Sequence, residues 1–306
     1  MKTSAWKWVF VIILALFVTV IMVQIVVPRV KENRQTSNQD TGRKSMVKAG
    51  DIDIEYRVIG KGHPLILIMG YGSTMNLWEE KMLASLAEHF QVIIFNNRGM
   101  GDSTAGEKAF SIPQFALDTL GVLDALQIEK AHVLGWSMGS YIAQELASTY
   151  PDRINKLVLY ATTPSPEMFP PDPKITKLLG DTSGTPEEQG ARWISVLFPE
   201  EWLATHGERI KEIFYKSMGN MNPESIGKQY MAIDQWKGLG ERLSKLTHPT
   251  LLLVGKEDVL AIPANSIYLK EKLLHAELSV IEGAGHGLMF QDPDQFLQVV
   301  TVFLKK

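Results

Sequence analysis

A serine with glycine two positions to either side is the residue of this sequence best suited to act as a nucleophile. The segment Gly135–Gly139 (GWSMG) directly follows the apolar run AHVL and directly precedes the helical stretch YIAQELASTY. In such a G-x-S-x-G turn the serine takes a positive φ, and only glycine-sized residues fit at the two flanking positions. The hydroxyl then lies at a helix N-terminus, where the dipole favours developing negative charge. The pattern predicts Ser137 as a nucleophile.

One histidine lies where a base for this serine is needed. The segment Gly283–Gly287 (GAGHG) follows the last predicted strand, so His286 is expected at the carboxyl edge of the sheet. A serine hydroxyl is a poor nucleophile without such a base, which is oriented in turn by an acid. A single histidine is more often structural, but the position of His286 favours catalysis.

The acid is expected after another strand at the same edge. Asp258 follows the apolar run TLLLV, in the segment GKED, and is the predicted partner of His286. Its neighbour Glu257 is one alternative and Asp124 is a more distant one. With Asp258, the order along the chain is serine, acid, histidine.

Acyl transfer also needs hydrogen-bond donors for an anionic intermediate. The backbone N–H of Met138, directly after the serine, is one candidate. The N–H of Tyr71, in the segment MGYG after the run LILIM, is the other. Gly70 and Gly72 could instead simply make a turn. Their position after an early buried strand favours an oxyanion hole formed by Tyr71 and Met138.

Short β-rich runs alternate with helical stretches through most of the chain. Continuous apolar runs are typical of strands buried on both faces, and the alternation predicts an α/β fold with a mostly parallel sheet. The predicted strands are 52–59, 65–69, 92–95, 131–135, 156–160, 250–254 and 278–281. The predicted helices are 75–88, 111–127, 138–149, 263–275 and 293–304.

Residues 164–246 break this alternation. They contain prolines and amphipathic segments but no convincing strand, which predicts a helical cap insertion over the carboxyl edge of the sheet, where ligands bind in such folds. Its aromatic side chains could form an apolar acyl or alcohol pocket, or belong to the core. They are Trp193, Phe198, Trp202, Phe214, Tyr230 and Trp236.

The composition excludes several classes of protein. Of 306 residues, 45% are hydrophobic and 21% charged, with a formal net charge of −3, which is typical of a globular protein and gives no sign of a nucleic-acid partner. Cysteine is absent, so disulfides, thiolate metal sites and a thiol nucleophile are excluded. No metal or organic cofactor is implied.

The segment Trp8–Val27 predicts a membrane anchor. It contains about twenty residues without a charge, and such a helix spans roughly the 30 Å hydrocarbon core of a bilayer. Trp6 and Trp8 lie at one end, where indole rings favour the headgroup region. A cleaved signal peptide would have a shorter apolar region, and a core helix would be amphipathic.

The charges on the two sides of this segment conflict about its orientation. Counting the basic residues alone would leave the following domain inside the cell. A short basic tail that leads directly into the apolar run is typical of a signal anchor and favours an extracytoplasmic domain. The predicted organisation is an anchor at 1–28, a polar linker at 29–45 and a catalytic domain at 46–306 that contains the insertion at 164–246.

From about residue 46 to the C-terminus, these segments resemble the α/β-hydrolase superfamily. Asn97–Ser103 (NRGMGDS) is similar to the D-x-R-G-x-G-x-S turn of that family. The chain departs from the family at Met69, where histidine often precedes the oxyanion glycine. It departs also at Asn97, near which aspartate is common, and at Ser140, where glycine is frequent.

The resemblance implies an eight-stranded, mostly parallel sheet flanked by helices. It implies an enzyme that cleaves a small-molecule acyl ester or a lipid-like substrate through an acyl-enzyme. Esterases, lactonases and thioesterases share this combination of motifs. Acyltransferases, C–C hydrolases and haloperoxidase-like enzymes with the same triad are alternatives, as is a non-catalytic binding protein. Relatives with an aspartate nucleophile, such as haloalkane dehalogenases, are disfavoured by Ser137.

Overall fold

A single sheet forms the centre of the computed structural model, which describes residues 42–181, 183–217 and 221–306. Its strands are β1 (Ser45–Ala49), β2 (Ile52–Ile59), β3 (His63–Ile68), β4 (Phe90–Phe95), β5 (Ala131–Trp136), β6 (Ile154–Tyr160), β7 (Thr250–Gly255) and β8 (Ala276–Ile281). They are arranged in the order β1-β2-β4-β3-β5-β6-β7-β8. The strands from β3 to β8 pair in parallel, and β1 and β2 are antiparallel. The prediction of an eight-stranded, mostly parallel sheet is confirmed.

The predicted strands are all present, both the alternating segment 52–59 and the apolar runs, and their ends differ from the prediction by about two residues or fewer. Every residue of β5 and of β7 is buried, because helices cover both faces of the sheet. Sequence patterns gave no indication of β1, since it directly follows a polar segment and only part of it is buried. It pairs along its whole length with β2, from Ser45 opposite Tyr56 to Ala49 opposite Ile52.

Helices pack on both faces of the sheet. Outside the helical insertion (residues 164–246) they are α1 (Glu80–Ala87), α2 (Ile112–Ala125), α3 (Met138–Thr149), α8 (Pro263–Lys272), α9 (Leu288–Gln291) and α10 (Pro293–Lys305). Successive residues of strand β3 point to opposite faces of the sheet and so belong to two different cores. Leu65 and Leu67 pack in the core under α1 and α10. Ile66 and Ile68 pack in the core under α2, α3 and α8. The helix predicted over 75–88 is shorter, since the extended residues Trp78 and Glu79 separate a 3₁₀ turn from α1.

Between β6 and β7, the described part of the insertion contains helices and no strand of the sheet. The helices are α4 (Pro173–Leu179), α5 (Pro186–Ser195), α6 (Glu200–Ser217) and α7 (Pro223–Gln235). Three of them begin at a proline that follows a capping residue: Asp172, Thr185 and Asn222 each accept a hydrogen bond from a backbone N–H of the first turn. Proline at this position needs no N–H partner, so the sequence itself sets these helix starts.

The predicted anchor, Trp8–Val27, and most of the polar linker lie outside the described residues. Within the described ranges, the structure contains no helix that is both long and apolar enough to cross a bilayer.

At the end of the sheet away from the serine turn, His132 is a buried histidine of β5. Its ring packs 4.3 Å from the ring of His63 and 5.9 Å from that of Phe90, and its Nδ1 atom is buried without a hydrogen-bond partner in the described structure. Burial, with the charges of His63 and Lys156, lowers the pKa of His132 from 6.5 to about 4. The folded protein therefore holds this ring neutral at pH values where the unfolded chain protonates it.

We expect acid to weaken the fold through this histidine. Between pH 6.5 and about 4 the unfolded chain binds the proton more strongly, so the free energy of unfolding falls as pH falls through this window, by up to about 3 kcal/mol. His132→Leu should remove this part of the pH dependence, measured by urea unfolding at pH 7 and pH 4. An equal loss of stability in both proteins would contradict the assignment.

Candidate active site

Ser137 occupies a strained turn between β5 and α3. Its φ is 54° and its ψ is −123°, and it is only partly buried. A Cβ on Gly135 would lie 2.2 Å from the carbonyl oxygen of Gly139, and one on Gly139 would lie 2.1 Å from that of Ile68. Both distances are shorter than any real contact of a Cβ atom, so glycine is required at each position. The turn therefore has the geometry expected from the sequence.

The serine that follows the turn explains one departure from the family pattern. The backbone N–H of Ser140 donates to the Ser137 carbonyl at 2.8 Å, and its hydroxyl donates to the same oxygen at 2.6 Å. The Ser140 hydroxyl also lies 2.8 Å from the Thr162 hydroxyl, which accepts a bond from Gln144 as well. A glycine at 140 would lack the side-chain bonds, so Ser140 adds support to the strained turn.

A buried histidine–aspartate pair lies after β7 and β8. The Nδ1 atom of His286 is 2.9 Å from Oδ2 of Asp258 and 3.1 Å from Oδ1. Asp258 Oδ1 also accepts bonds from the backbone N–H groups of Leu260 and Ala261, which fix the carboxylate. A neutral ring that donates from Nδ1 to a carboxylate has a free lone pair on Nε2, so His286 is oriented to accept a proton there.

The two alternative acids lie elsewhere. Glu257 is exposed, although it directly precedes Asp258. Asp124 is 57% exposed and forms an ion pair with Arg153 at 2.7 Å. The structure thus brings His286 together with Asp258 and with neither alternative.

The histidine loop is tied to the residue before the serine. The indole Nε1 of Trp136 donates to the His286 carbonyl at 3.1 Å, and the Tyr160 hydroxyl donates to the same oxygen at 2.6 Å. Burial raises the pKa of Tyr160 well above its usual value, so this hydroxyl remains a donor. The sequence motifs indicated a role for neither residue. Their positions, next to the serine and at the end of β6, are the signal that could have identified them.

Residues Met69–Met75, which we call the oxyanion loop, pass over the serine. A Cβ on Gly70 would lie 3.3 Å from the Cβ of Ser137, so the loop approaches the serine closely. Tyr71 is the next residue, and its backbone N–H is the first predicted donor. Met138, the second, begins α3, where backbone N–H groups have no partner within the helix.

Hydrogen bonds to two other parts of the molecule hold this loop. From the segment after β4, Asn97 Nδ2 donates to the Met69 carbonyl at 3.1 Å, and Asn96 Oδ1 accepts from the Met75 N–H at 2.6 Å. The other two bonds reach the insertion: the Gly72 N–H donates to Gln229 Oε1 at 2.9 Å, and the Thr74 hydroxyl donates to the Ser217 carbonyl at 2.6 Å. The sequence motifs indicated none of these four bonds.

The aromatic residues of the insertion divide into three groups. Trp193 and Tyr230 lie 6.0 and 6.5 Å from the ring of Tyr71, whose buried hydroxyl has no partner in the described structure. Trp236 stacks on Tyr141 at 4.9 Å. The third group packs beside Phe290 in the core and consists of Phe198, Trp202 and Phe214. Trp193 and Tyr230 are thus the insertion aromatics nearest the oxyanion loop, and the other four predicted pocket residues, Phe198, Trp202, Phe214 and Trp236, belong to the two cores or pack against them.

Within the three described ranges, no group of three or more histidine, aspartate or glutamate side chains could hold a metal ion.

Comparison with known proteins gives matches over most of the chain. The family model described as alpha/beta hydrolase fold matches residues 63–293. The chain is similar to a protein of Azorhizobium caulinodans named carbamate hydrolase RutD, at 29% identity over 259 residues, 83% of this chain and 96% of the relative. It is 25% identical to 3-oxoadipate enol-lactonase 2 of Acinetobacter baylyi over 86% of this chain and 97% of that protein. The structure of a hydrolase from Pseudomonas aeruginosa matches with a TM-score of 0.75 and 26% identity, covering 87% of this chain and 99% of that one.

The tight packing of the turn yields a mutational test. A Cβ at Gly139 would meet backbone oxygens of Ile68 and Met69, so we expect Gly139→Ala to lower the free energy of unfolding by about 1–3 kcal/mol. Because β3 and the oxyanion loop must shift, turnover of any substrate should fall at least about tenfold. Both are measured by urea unfolding and by steady-state kinetics.

The matched control is Gly190→Ala in α5, where an added Cβ meets nothing within 4 Å. There the change should stabilise the helix by up to about 1 kcal/mol and leave turnover unchanged. Equal stability and activity for Gly139→Ala and Gly190→Ala would contradict the role of the close contact.

Proposed function

The chain belongs to the alpha/beta hydrolase fold family, and from this premise we propose that it is a serine hydrolase that cleaves carboxylic esters or related acyl compounds. The observation that carries the proposal is the combination of Ser137 at positive φ with a buried His286–Asp258 pair. The indole of Trp136, next to Ser137, bonds to the backbone of His286. This arrangement supplies a nucleophile, a base and an acid at one edge of the sheet.

In the proposed acylation step, the Ser137 hydroxyl attacks the substrate carbonyl while His286 Nε2 takes its proton. The negative charge on the former carbonyl oxygen is stabilised by the N–H groups of Tyr71 and Met138. Asp258 stabilises the imidazolium that forms. His286 then gives the proton to the leaving oxygen, and the C–O bond breaks to give an acyl-enzyme.

In the deacylation step, water takes the place of the alcohol. His286 removes a proton from the water, which attacks the acyl carbonyl, and the second tetrahedral intermediate collapses to release the acid. The proton returns to Ser137, so the enzyme is regenerated without a net change.

The names of two relatives suggest which acyl compounds to test first. One relative is named for a carbamate and another for an enol-lactone, and both are carbonyl compounds with an adjacent heteroatom. The aromatic rings of Tyr71, Trp193 and Tyr230 near the oxyanion loop favour a substrate with an apolar or planar part. We propose a small-molecule ester, lactone or carbamate, with a lipid-like ester as a further member of the same class.

The central prediction concerns Ser137. The protein should hydrolyse p-nitrophenyl esters in a series from acetate to palmitate, and Ser137→Ala should lower kcat by at least about 10³-fold because no acyl-enzyme can form. The two proteins should have the same unfolding midpoint. The preferred chain length measures the depth of the acyl pocket, and a parallel assay with a lactone and a carbamate identifies the class.

Turnover retained in Ser137→Ala would exclude the serine mechanism. Alternative activities of the same triad are separated by adding an alcohol or a peroxide and measuring diverted acyl product. If the wild-type protein also fails to react with a fluorophosphonate probe, a non-catalytic binding role replaces the enzymatic one.

We also propose that Trp8–Val27 anchors the enzyme in a membrane, with the catalytic domain on the extracytoplasmic side. The support is in the sequence, because this segment has about twenty uncharged residues and Trp6 and Trp8 at one end.

The anchor makes a prediction for the full chain. When the full chain is expressed in cells, the protein should sediment with membranes and resist extraction by carbonate. The double variant Leu16→Arg/Val20→Arg should instead be extracted by carbonate. Each arginine adds about 2.5–3.5 kcal/mol to the insertion free energy, and the control Leu16→Ile/Val20→Leu should behave like the wild type. Proteolysis of intact cells or spheroplasts then tests the side, and protection of the domain until lysis would contradict an extracytoplasmic location.

A further inference from the structure

The side chain of Gln229, in the insertion, bonds to the oxyanion loop. Gln229 of α7 is fully buried, and its Oε1 accepts the Gly72 N–H at 2.9 Å. A backbone N–H can only donate, so the amide oxygen must be the atom that faces Gly72, and the NH₂ group must point away. The bond joins two segments that are 157 residues apart in the sequence.

The other half of this amide has no hydrogen-bond partner in the described structure. The Nε2 atom of Gln229 is buried and has no partner among the described residues, and a buried donor without a partner destabilises the fold. Methionine has a similar length and would fill the same space without this cost. The hydrogen bond to Gly72 is therefore what distinguishes an amide from an apolar side chain of similar size at this position.

The hydrogen bond from Gly72 to Gln229 holds the peptide next to the one that carries the proposed oxyanion donor. The Tyr71 N–H belongs to the peptide between Gly70 and Tyr71. The preceding peptide is held through the Met69 carbonyl by Asn97, and the following peptide is held through the Gly72 N–H by Gln229. Two amide side chains thus hold the peptides on either side of the donor, one from the segment after β4 and one from the insertion.

We propose that Gln229 is a positioning residue of the oxyanion hole, through which the insertion fixes the direction of the Tyr71 N–H. This inference rests on the proposed serine-hydrolase function. Oxyanion donors stabilise the transition state only when they lie about 2.7–3.1 Å from the developing charge, and removing one costs about 10²–10³ in kcat. Loss of the Gln229 bond leaves the Tyr71 N–H in place but less firmly oriented. The fall in kcat should therefore be smaller than the fall caused by removing an oxyanion donor.

The test uses the full-length protein and the variant Gln229→Met, assayed with the best p-nitrophenyl ester. We expect kcat to fall about tenfold or more while KM stays within about threefold, because the bond matters most when charge develops on the carbonyl oxygen. A trifluoromethyl ketone forms a tetrahedral adduct whose oxyanion needs the same donors. Its inhibition constant should therefore rise in proportion to the loss of kcat.

Stability separates positioning from a structural role. The Gln229→Met variant removes an unpaired buried donor, and water can reach the partly exposed Gly72, so its Tm should equal or exceed that of the wild type. The matched control is Arg242→Met, which removes another contact between the insertion and the core. Arg242 pairs with the buried Glu145 at 2.7 Å, and its guanidinium also donates to the Ser148 hydroxyl, so its bonds lie away from the oxyanion loop. It should lower Tm and leave kcat within about twofold.

Each outcome decides the proposal. A kcat for Gln229→Met within twofold of the wild type, or an inhibition constant that does not follow kcat, overturns it. Unfolding of this variant at the assay temperature overturns it as well, because the proposal gives the amide no net stabilising role. Failure of the proposed function is distinguishable, since the wild-type protein would then show no turnover that depends on Ser137.

Discussion

The positive φ of Ser137 is the constraint on which the rest of the site depends. A residue other than glycine in this conformation costs about 1–3 kcal/mol and persists only when its surroundings determine it. Here the surroundings are backbone: the Ser137 N–H donates to the Tyr160 carbonyl at 2.9 Å, and Gly139 lies against the carbonyl of Ile68. Three adjacent parallel strands, β3, β5 and β6, therefore meet at the serine. A change in the register or spacing of these three strands would remove the contacts that hold the turn, so the geometry of the site depends on the sheet.

The helical insertion contacts both loops that meet above this serine. The Leu197 carbonyl accepts the Gly287 N–H at 2.9 Å, next to His286, and the ring of Phe198 fills the space where a Cβ of Gly287 would lie. On the other side, Gln229 bonds to the oxyanion loop. The insertion is thus packed against the two loops that carry the base and an oxyanion donor. An insertion attached in this way can influence the rate of the reaction as well as the choice of substrate.

Local patterns in the sequence predicted what depends on local structure. Apolar runs gave the strands, and the glycines around Ser137 gave the turn, because each depends on a few consecutive residues. The order of segments also placed Asp258 and His286 after their strands. The contacts that hold these residues could not be predicted, because Tyr160 and Trp136 reach His286 across 126 and 150 positions. Composition does not determine such distant pairs, and for the same reason it left the aromatic residues of the insertion undecided between pocket and core.

Asn97, next to the position where aspartate is common in the family, holds the oxyanion loop at the backbone of Met69. Asn97 donates from Nδ2 to the Met69 carbonyl, and an ionised aspartate at this position could not donate to that oxygen. The two side chains that hold the peptides beside the Tyr71 N–H, those of Asn97 and Gln229, are both neutral amides. A carboxylate in either place would put a negative charge close to the developing oxyanion, and in a poorly solvated site such a charge would raise the energy of the transition state. Amides supply the hydrogen bonds without that charge. The oxyanion loop is therefore held by neutral groups, and the developing charge is stabilised by the backbone N–H donors.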